Sequence, residues 1–447
     1  MQDAPKREIL AWSMYDFANS AFTTTITTVV FSAYYAKAVV PEGGVQLLGM
    51  KLPGVTLWGL AYATSLAIAA ALAPIVGAIC DFSAAKKKSL TFFWLLGCVS
   101  TAALFFVRPG DWVLGTVLYI VGNVAFESSV SLNGAFLPEL APPEKLDIIS
   151  SVGWGIGYFG GGLCLLANLL MIQNPEWFGA DKTFAVRVSL GSVGLWWLLF
   201  GLPCILGVRE RAVARPLPPG QNLVAAGLGK VLSTLRSMKR FRTLAVLTIS
   251  VLIFSAGVNT VLAMSGPFAQ DRLKFTEDQL IKCFLMIQVV AAAGALLTAW
   301  IATRVPTKVS LYVMLGVWLA ALVWAFLIRS QGEFWILGAV IGFVMGGTQS
   351  LSRGLQAQMT PPTAAGEFFG FYGVTQKLAA ATASYIYALT AMIGTKMFGA
   401  NWGIRIAILS IAIFFIIGLI LLYPVDVARG RRESADEEAR LQAAKAA

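Results

Sequence analysis

Leu132-Asn133-Gly134-Ala135-Phe136-Leu137-Pro138-Glu139-Leu140-Ala141-Pro142-Pro143 closes one long apolar stretch of this 447-residue chain, and Leu351-Ser352-Arg353-Gly354-Leu355-Gln356-Ala357-Gln358-Met359-Thr360-Pro361-Pro362 closes another. Setting the two proline pairs on each other also aligns Leu132 with Leu351. Proline pairs are common in loops, so the echo alone carries little weight. Its position gives it meaning: the first segment ends the fourth apolar stretch and the second ends the tenth. A fainter echo links Gly77–Lys88, after the second stretch, with Ala299–Lys308, after the eighth. The chain therefore reads as two diverged copies of one unit.

Working outward, the apolar stretches are 9–38, 55–80, 89–107, 112–136, 148–172, 184–208, 243–268, 278–302, 309–328, 334–357, 368–393 and 402–424. Hydrophobic residues are 57% of the chain and charged residues 13%. A soluble domain could not hide so much apolar surface, because folded proteins keep a polar skin. Runs near 20 residues match the hydrocarbon thickness of a bilayer at about 1.5 Å per helical residue. The expected fold is an all-α membrane protein, with twelve transmembrane helices in two six-helix bundles. The bundles fall at 1–208 and 243–424. Between them, 209–242 is a basic, Pro- and Gly-bearing linker in which Leu223–Met238 could lie as an amphipathic helix on the membrane surface. Residues 425–447 read as a solvated, charged and partly helical tail without a core of its own.

An even number of spans puts both termini on one side. With both ends inside, inner segments carry 21 Lys and Arg against 11 outside, which by the positive-inside rule favours cytoplasmic termini. The expected location is the bacterial inner membrane. The net charge of +11 is then topological and faces anionic lipid headgroups, so no nucleic-acid partner is expected. The five cysteines lie within or at the ends of apolar spans and form no C-x-x-C pair, so neither a disulfide nor a metal framework is expected. The chain has no histidine, which excludes His-based triads, H-E-x-x-H zinc sites and His proton relays. There is no G-x-S-x-G elbow and no P-loop. The chain is not read as an enzyme, and no cofactor is expected. Transport would draw on an ion gradient, with protons as the candidate partner, or be passive.

Function should sit in the polar groups the membrane tolerates, since an ionisable group at its centre costs roughly 2.5 kcal/mol or more. Four stand out: Asp16 in span 1, Glu127 in span 4, Arg353 in span 10 and Lys377 in span 11. Two acids in the first half face two bases in the second. Span 1 sets Asp16, Asn19, Ser20, Thr23 and Thr27 on one helical face. Span 4 spaces Asn123, Glu127 and Ser131 four apart, and span 10 does the same with Gln349 and Arg353. Asn259 sits in span 7 and Gln288 in span 8. Such residues equally serve as helix–helix glue, and Asp16 fits a structural ion pair or gate latch as well as a ligand contact. The formal G-x-G-x-x-G at Gly155–Gly160 lacks a preceding strand, so no nucleotide site follows. Gly153, Gly157 and Gly161 at four-residue spacing instead allow close helix contact, beside Trp154 and Tyr158, which share a face and could line a cavity.

With these residues in view, the chain resembles the major facilitator superfamily, and within it the branch of the autophagy-related vacuolar amino-acid effluxers of fungi and their bacterial relatives. Trp12-Ser13-Met14-Tyr15-Asp16-Phe17-Ala18-Asn19-Ser20-Ala21-Phe22 is similar to the branch's span 1 signature. Asn133–Glu139, Ser150–Gly153 and Gly157-Tyr158 are similar to its span 4–5 region. Arg353, Gly366–Tyr372 and Lys377 are similar to its span 10–11 region, which adds Tyr372 to the candidate site. The superfamily's loop after span 2 is recognisable in Gly77–Asp81 and Lys86–Lys88, but Phe82-Ser83-Ala84 stand where basic and glycine positions are usual. The second copy has Thr303 where an acid is expected, so Asp81, Lys86 and Lys87 of the first are the expected gate latch. The resemblance implies a secondary transporter of alternating access, with spans 1, 4, 7 and 10 around the cavity, and efflux of neutral amino acids for the fungal members. On this reading Glu127 contacts a ligand ammonium or carries a proton, Arg353 with Lys377 holds a carboxylate, and the chain works as a monomer on a small zwitterion or anion. The alternative is export of a larger amphiphile, such as a peptide, a lipid-linked molecule or a drug-like anion.

Overall fold

The computed structural model describes residues 4–47, 50–211, 241–362 and 400–446, with scattered positions of 363–399. Helices dominate: α1 (Lys6–Ala21), α2 (Val30–Tyr34), α3 (Gly54–Ser83), α4 (Lys86–Ala103), α5 (Trp112–Leu140), α6 (Leu146–Gln173), α7 (Lys182–Gly207), α8 (Arg242–Leu273), α9 (Glu277–Ala302), α10 (Thr307–Leu327), α11 (Gln331–Gln358), α12 (Ala400–Leu422) and α13 (Val427–Ala446). Among the described residues ten helices are long and apolar enough to cross a membrane: α3 through α12. They match spans 2–10 and 12 of the sequence reading to within a few residues. Most of span 11 and most of the 209–242 linker, including Leu223–Met238, lie outside the described residues.

Span 1 is the exception in form. Its helix continues past α1 through a π-helical segment, Phe22–Val29, then α2, then a second π segment, Tyr35–Val39. For the first π segment the cause is local: Thr23, Thr24, Thr25, Thr27 and Thr28 crowd six positions. Threonine hydroxyls compete for backbone carbonyls and loosen the α-helical ladder. Thr28 Oγ1 donates to the Thr23 carbonyl at 2.8 Å, five residues back, and Thr24 Oγ1 donates to the carbonyl of Ser20 at 3.1 Å. A short antiparallel hairpin, β1 (Val45–Leu47) and β2 (Met50–Leu52), joins spans 1 and 2 and was not expected from the sequence.

Two large apolar cores follow the two halves. One is built mainly from residues between Ala4 and Val208 but also takes in Ala357, Ala365 and Phe369 of the second half, and the other mainly from residues between Phe241 and Val425; a smaller cluster around Phe275 and Phe334 completes the second half. In the first half α1 packs on α6 and α7, α4 on α5 and α7, and α3 on α5. In the second α9 packs on α11, α8 on α12, and α10 on α11 and α12. The halves meet where α6 packs on α9 and α11. Glycines make this approach possible. A Cβ at Gly160 would lie 2.3 Å from the Phe17 carbonyl of α1, and one at Gly155 would lie 2.7 Å from Leu296 of α9. The glycine-rich segment is thus the close-contact surface expected of it, and it faces both bundles. The tail is the helix α13, in keeping with its partly helical reading, but it is not wholly solvated: Gly430 and Ser434 are buried four residues apart on one face.

Candidate functional site

Three helices bring their polar residues together at Arg353. Trp12 and Asp16 sit one turn apart on α1, Ser150 and Trp154 one turn apart on α6, and Arg353 near the end of α11. Arg353 Nη2 lies 2.7 Å from Asp16 Oδ2. Its Nε donates to Ser150 Oγ at 2.9 Å and its Nη2 to the Ser150 carbonyl at 3.0 Å. The guanidinium lies 5.0 Å from the Trp12 ring centre and 5.1 Å from that of Trp154. A largely desolvated guanidinium is thereby given a carboxylate, two oxygen acceptors and two aromatic faces, which offset its lost hydration. Asp16 is fixed in turn: Asn133 Nδ2 donates to its Oδ1 at 3.3 Å, and Trp12 Nε1 holds the Asn133 carbonyl at 2.8 Å. Ser150 Oγ donates onward to the Ser350 carbonyl at 2.8 Å. Gly153 leaves room for all of this, since a Cβ there would lie 2.8 Å from Asp16 Oδ2 and 2.9 Å from Arg353 Nη2.

Further contacts join the bundles on both sides of this centre. Towards the termini, Thr307 Oγ1 donates to Asp147 Oδ2, while Asp147 Oδ1 accepts the Ile148 N–H at 2.9 Å. Gly354 packs directly on the Asp147 backbone, where a Cβ would lie 2.4 Å from Asp147 Cα. Deeper in, the Tyr158 hydroxyl donates to Gln349 Oε1, and Ser131 Oγ donates to the Phe369 carbonyl at 2.9 Å. These contacts close the two halves against each other at the end of the molecule where α1 begins and α13 docks.

The sequence candidates separate accordingly. Asp16, Trp154, Tyr158, Gln349 and Arg353 meet at the bundle junction. Asn19 is buried beside them with its Nδ2 without a hydrogen-bond partner. Asn123 is turned into its own bundle, donating to Ser65 Oγ of α3 at 2.7 Å. Glu127 is half-buried one turn further along α5, near enough to Tyr62 and Tyr119 for electrostatic interaction. Asn259 is half-buried on α8. Tyr372 and Lys377 lie outside the described residues, as does the side chain of Asp81. Lys86 pairs with Glu139 and lies 5.8 Å from the Phe136 ring centre, and Lys87 Nζ donates to the Val208 carbonyl at 2.9 Å. These contacts of Lys86 and Lys87 stay within the first bundle.

Sequence reasoning did not single out Trp12, Asn133, Ser150, Asp147 or Thr307 as site residues. The first three stand in the segments that carry the family resemblance, which was the available signal. Asp147 and Thr307 have no local signature, because their partnership exists only across the bundle junction.

A family model described as "Vacuole effluxer Atg22 like" matches residues 4–435. The chain is 30% identical over 414 residues to an uncharacterized MFS-type transporter, YxiO, of Bacillus subtilis, covering 92% of this chain and 93% of that one. It is 23% identical over 477 residues to autophagy-related protein 22 of Coccidioides immitis, covering 88% of this chain and 76% of that one. Among solved structures it is similar to the proton:xylose symporter XylE, with a TM-score of 0.69 at 16% identity over 94% of this chain and 96% of that one. It is similar also to the human organic anion transporter MFSD10, with a TM-score of 0.64 at 14% identity over 93% and 99% of the two chains. These structural likenesses establish the fold, that of the major facilitator superfamily.

Proposed function

This chain belongs to the Atg22-like family of major facilitator superfamily transporters, and from that premise we propose that it moves a small zwitterionic or anionic metabolite, a neutral amino acid being the leading candidate, by ion-coupled efflux or exchange. The observation that carries the reading is the Asp16–Arg353 ion pair between α1 of the first bundle and α11 of the second. A cation held across the moving interface by one carboxylate is a group that a substrate carboxylate can compete for. Buried charged contacts also confer selectivity, because a ligand lacking the matching group leaves a charge unpaired. Glu127, on the helix next to this junction, is assigned the ligand ammonium or the coupling proton, with Lys377 as a second anion-binding cation. The π-helical threonines of span 1 add hydroxyls to the same reading, in keeping with π segments at functional positions. The proposed setting is a bacterial plasma membrane with both termini in the cytoplasm, as the 21 to 11 distribution of basic residues favours.

The test is uptake of a labelled amino-acid panel into proteoliposomes, with and without an imposed pH gradient, for wild type, Glu127→Gln and Arg353→Gln. Gradient-dependent uptake that Glu127→Gln loses, together with at least ten-fold weaker apparent affinity for the carboxylate in Arg353→Gln, is the expected result. Wild-type protein of demonstrated fold that moves no amino acid, but whose tryptophan fluorescence responds to bulky organic anions in a way that Trp154→Phe loses, would replace this reading with export of a larger amphiphile.

A further inference from the structure

We propose that the C-terminal helix α13 is a clasp on the inner gate: it is fastened to the second bundle and reaches the first through Arg431 only while the bundles are closed at this end. This goes beyond the substrate reading and does not depend on it.

The fastening comes first. Glu433 of α13 accepts the Thr243 backbone N–H at 3.3 Å and its hydroxyl at 3.1 Å, both at the start of α8. Arg429 Nε donates to the same Glu433 carboxylate at 3.0 Å, one turn away, which steadies it. Gly430 lies so close to α11 and α8 that a Cβ there would be 2.2 Å from Met359 Sδ and 3.2 Å from Thr243. Gly430 and Ser434 are buried on this face while Arg432 and Asp436 are exposed. The helix is therefore fastened to the second bundle and moves as part of it.

The reach comes from Arg431. Its Nη2 donates to Gln358 Oε1 at 2.6 Å, at the buried end of α11, and its Nη1 donates to Glu144 Oε1 at 3.2 Å. Glu144 belongs to the turn Pro143–Lys145 between α5 and α6, in the first bundle. One planar guanidinium thus bridges the two bundles beside the Asp147–Thr307 contact. Alternating access requires the ends of α5 and α11 to part here, and Arg431, carried by α13, cannot then hold both. The bridge stabilises one state of the cycle and is absent from the other, which is what shifts a two-state population. Glu144 is 65% exposed and Arg431 31%, so the bias is modest, a few-fold and at most about five-fold, and salt screens it.

The experiment uses the full chain in proteoliposomes with Ala357→Cys as reporter. Ala357 lies in the second bundle but packs in the first bundle's core, so a thiol there is covered in the closed state and reachable once the bundles part. The five native cysteines are buried, so background labelling by a maleimide is low. Arg431→Ala and Glu144→Ala are each expected to raise the labelling rate about two- to five-fold, the double charge reversal Glu144→Arg with Arg431→Glu to return it towards that of the parent, and added salt to raise the parent's rate but not that of Arg431→Ala. Unchanged labelling in both single variants, with folded protein shown by size-exclusion chromatography, overturns the clasp. So does an increase in Arg431→Ala that neither Glu144→Ala nor salt reproduces, since the helix would then act only through its own bundle.

Discussion

The loop after span 2 and its counterpart after span 8, which echo each other in sequence, make different kinds of contact. In the first copy Lys86 and Glu139 form an ion pair in which both side chains are 1% exposed. The Glu210 carboxylate accepts the N–H groups of Lys86 at 2.8 Å and Lys87 at 3.2 Å, the unsatisfied donors at the start of α4. This copy is stitched into its own bundle. In the second copy Arg304 lies over the Trp300 ring at 3.9 Å, and Lys308 caps the end of α12 through the carbonyls of Tyr423 and Val425. Its Thr307 crosses to Asp147 of the first bundle. The difference has a physical logic. A dry ion pair is costly to separate and suits a contact that never breaks, whereas a hydroxyl on a carboxylate can be made and released in each cycle. Asp16–Arg353 does cross the junction as a charge pair, but its side chains are 10% and 12% exposed, so water can reach them when the bundles part.

The largest effect is expected where the comparison is most absolute. Glu139→Gln leaves the Lys86 ammonium buried without its carboxylate, and removal of one partner of such a pair costs about 3–5 kcal/mol. Thermal unfolding of the purified protein should fall sharply, and the double replacement Lys86→Met with Glu139→Leu should recover most of the loss, because two apolar side chains leave no charge stranded. A folded, stable Glu139→Gln protein would mean that this copy is not a fixed stitch.

Thr307→Val should behave differently. The valine keeps the shape but withdraws a donor from the buried Asp147 carboxylate, worth about 1–3 kcal/mol against the closed state. Since that contact is absent when the bundles part, the loss falls on the distribution between states more than on the fold. Labelling of Ala357→Cys should rise about ten-fold, with an unfolding midpoint close to the parent's. A fall in the midpoint as large as that of Glu139→Gln, with no change in labelling, would erase the distinction between the two copies.

Much of this was open to a reader of the sequence. Ten of the twelve spans follow from apolar run length, because hydrocarbon thickness leaves little freedom in a spanning helix. The close-packing role of Gly153, Gly157 and Gly161 follows from their spacing, and the choice of Asp16 and Arg353 from the cost of charge in a membrane. Their pairing with each other does not follow, because nothing in either helix says which element it will face. Ser150 and Thr307 look like any other hydroxyl until the opposite bundle is in place. The left-handed backbone at Ala84, φ 45°, is a similar case. The sequence shows that a glycine is missing from the usual pattern, and only the fold shows that the C-cap of α3 keeps the glycine conformation without it.

The smallest effect sharpens the comparison at its edge. Glu8, at the start of α1, binds Arg211 through two hydrogen bonds of 2.7 Å and accepts the Arg209 N–H at 2.9 Å, tying the segment after α7 to the layer that holds Lys86 and Glu210. Burial pushes the Glu8 carboxyl up, but the Arg211 guanidinium and the Arg209 N–H outweigh it and hold its pKa below the ordinary 4.5. A carboxyl with a depressed folded-state pKa contributes stability that is present above its ordinary value and fades as pH falls through the folded one. Arg211 is 32% exposed, so solvent screening keeps that contribution to about 1 kcal/mol or less. Glu8→Gln should therefore lower the unfolding midpoint slightly at neutral pH, and its curve should converge on the parent's as pH drops below 4.5. Parallel curves would mean that Glu8 stabilises by packing alone. Convergence would place it, like Lys86–Glu139, among the contacts that hold the first bundle together rather than those that open, because its partners Arg209 and Arg211 follow directly on the first bundle's last helix.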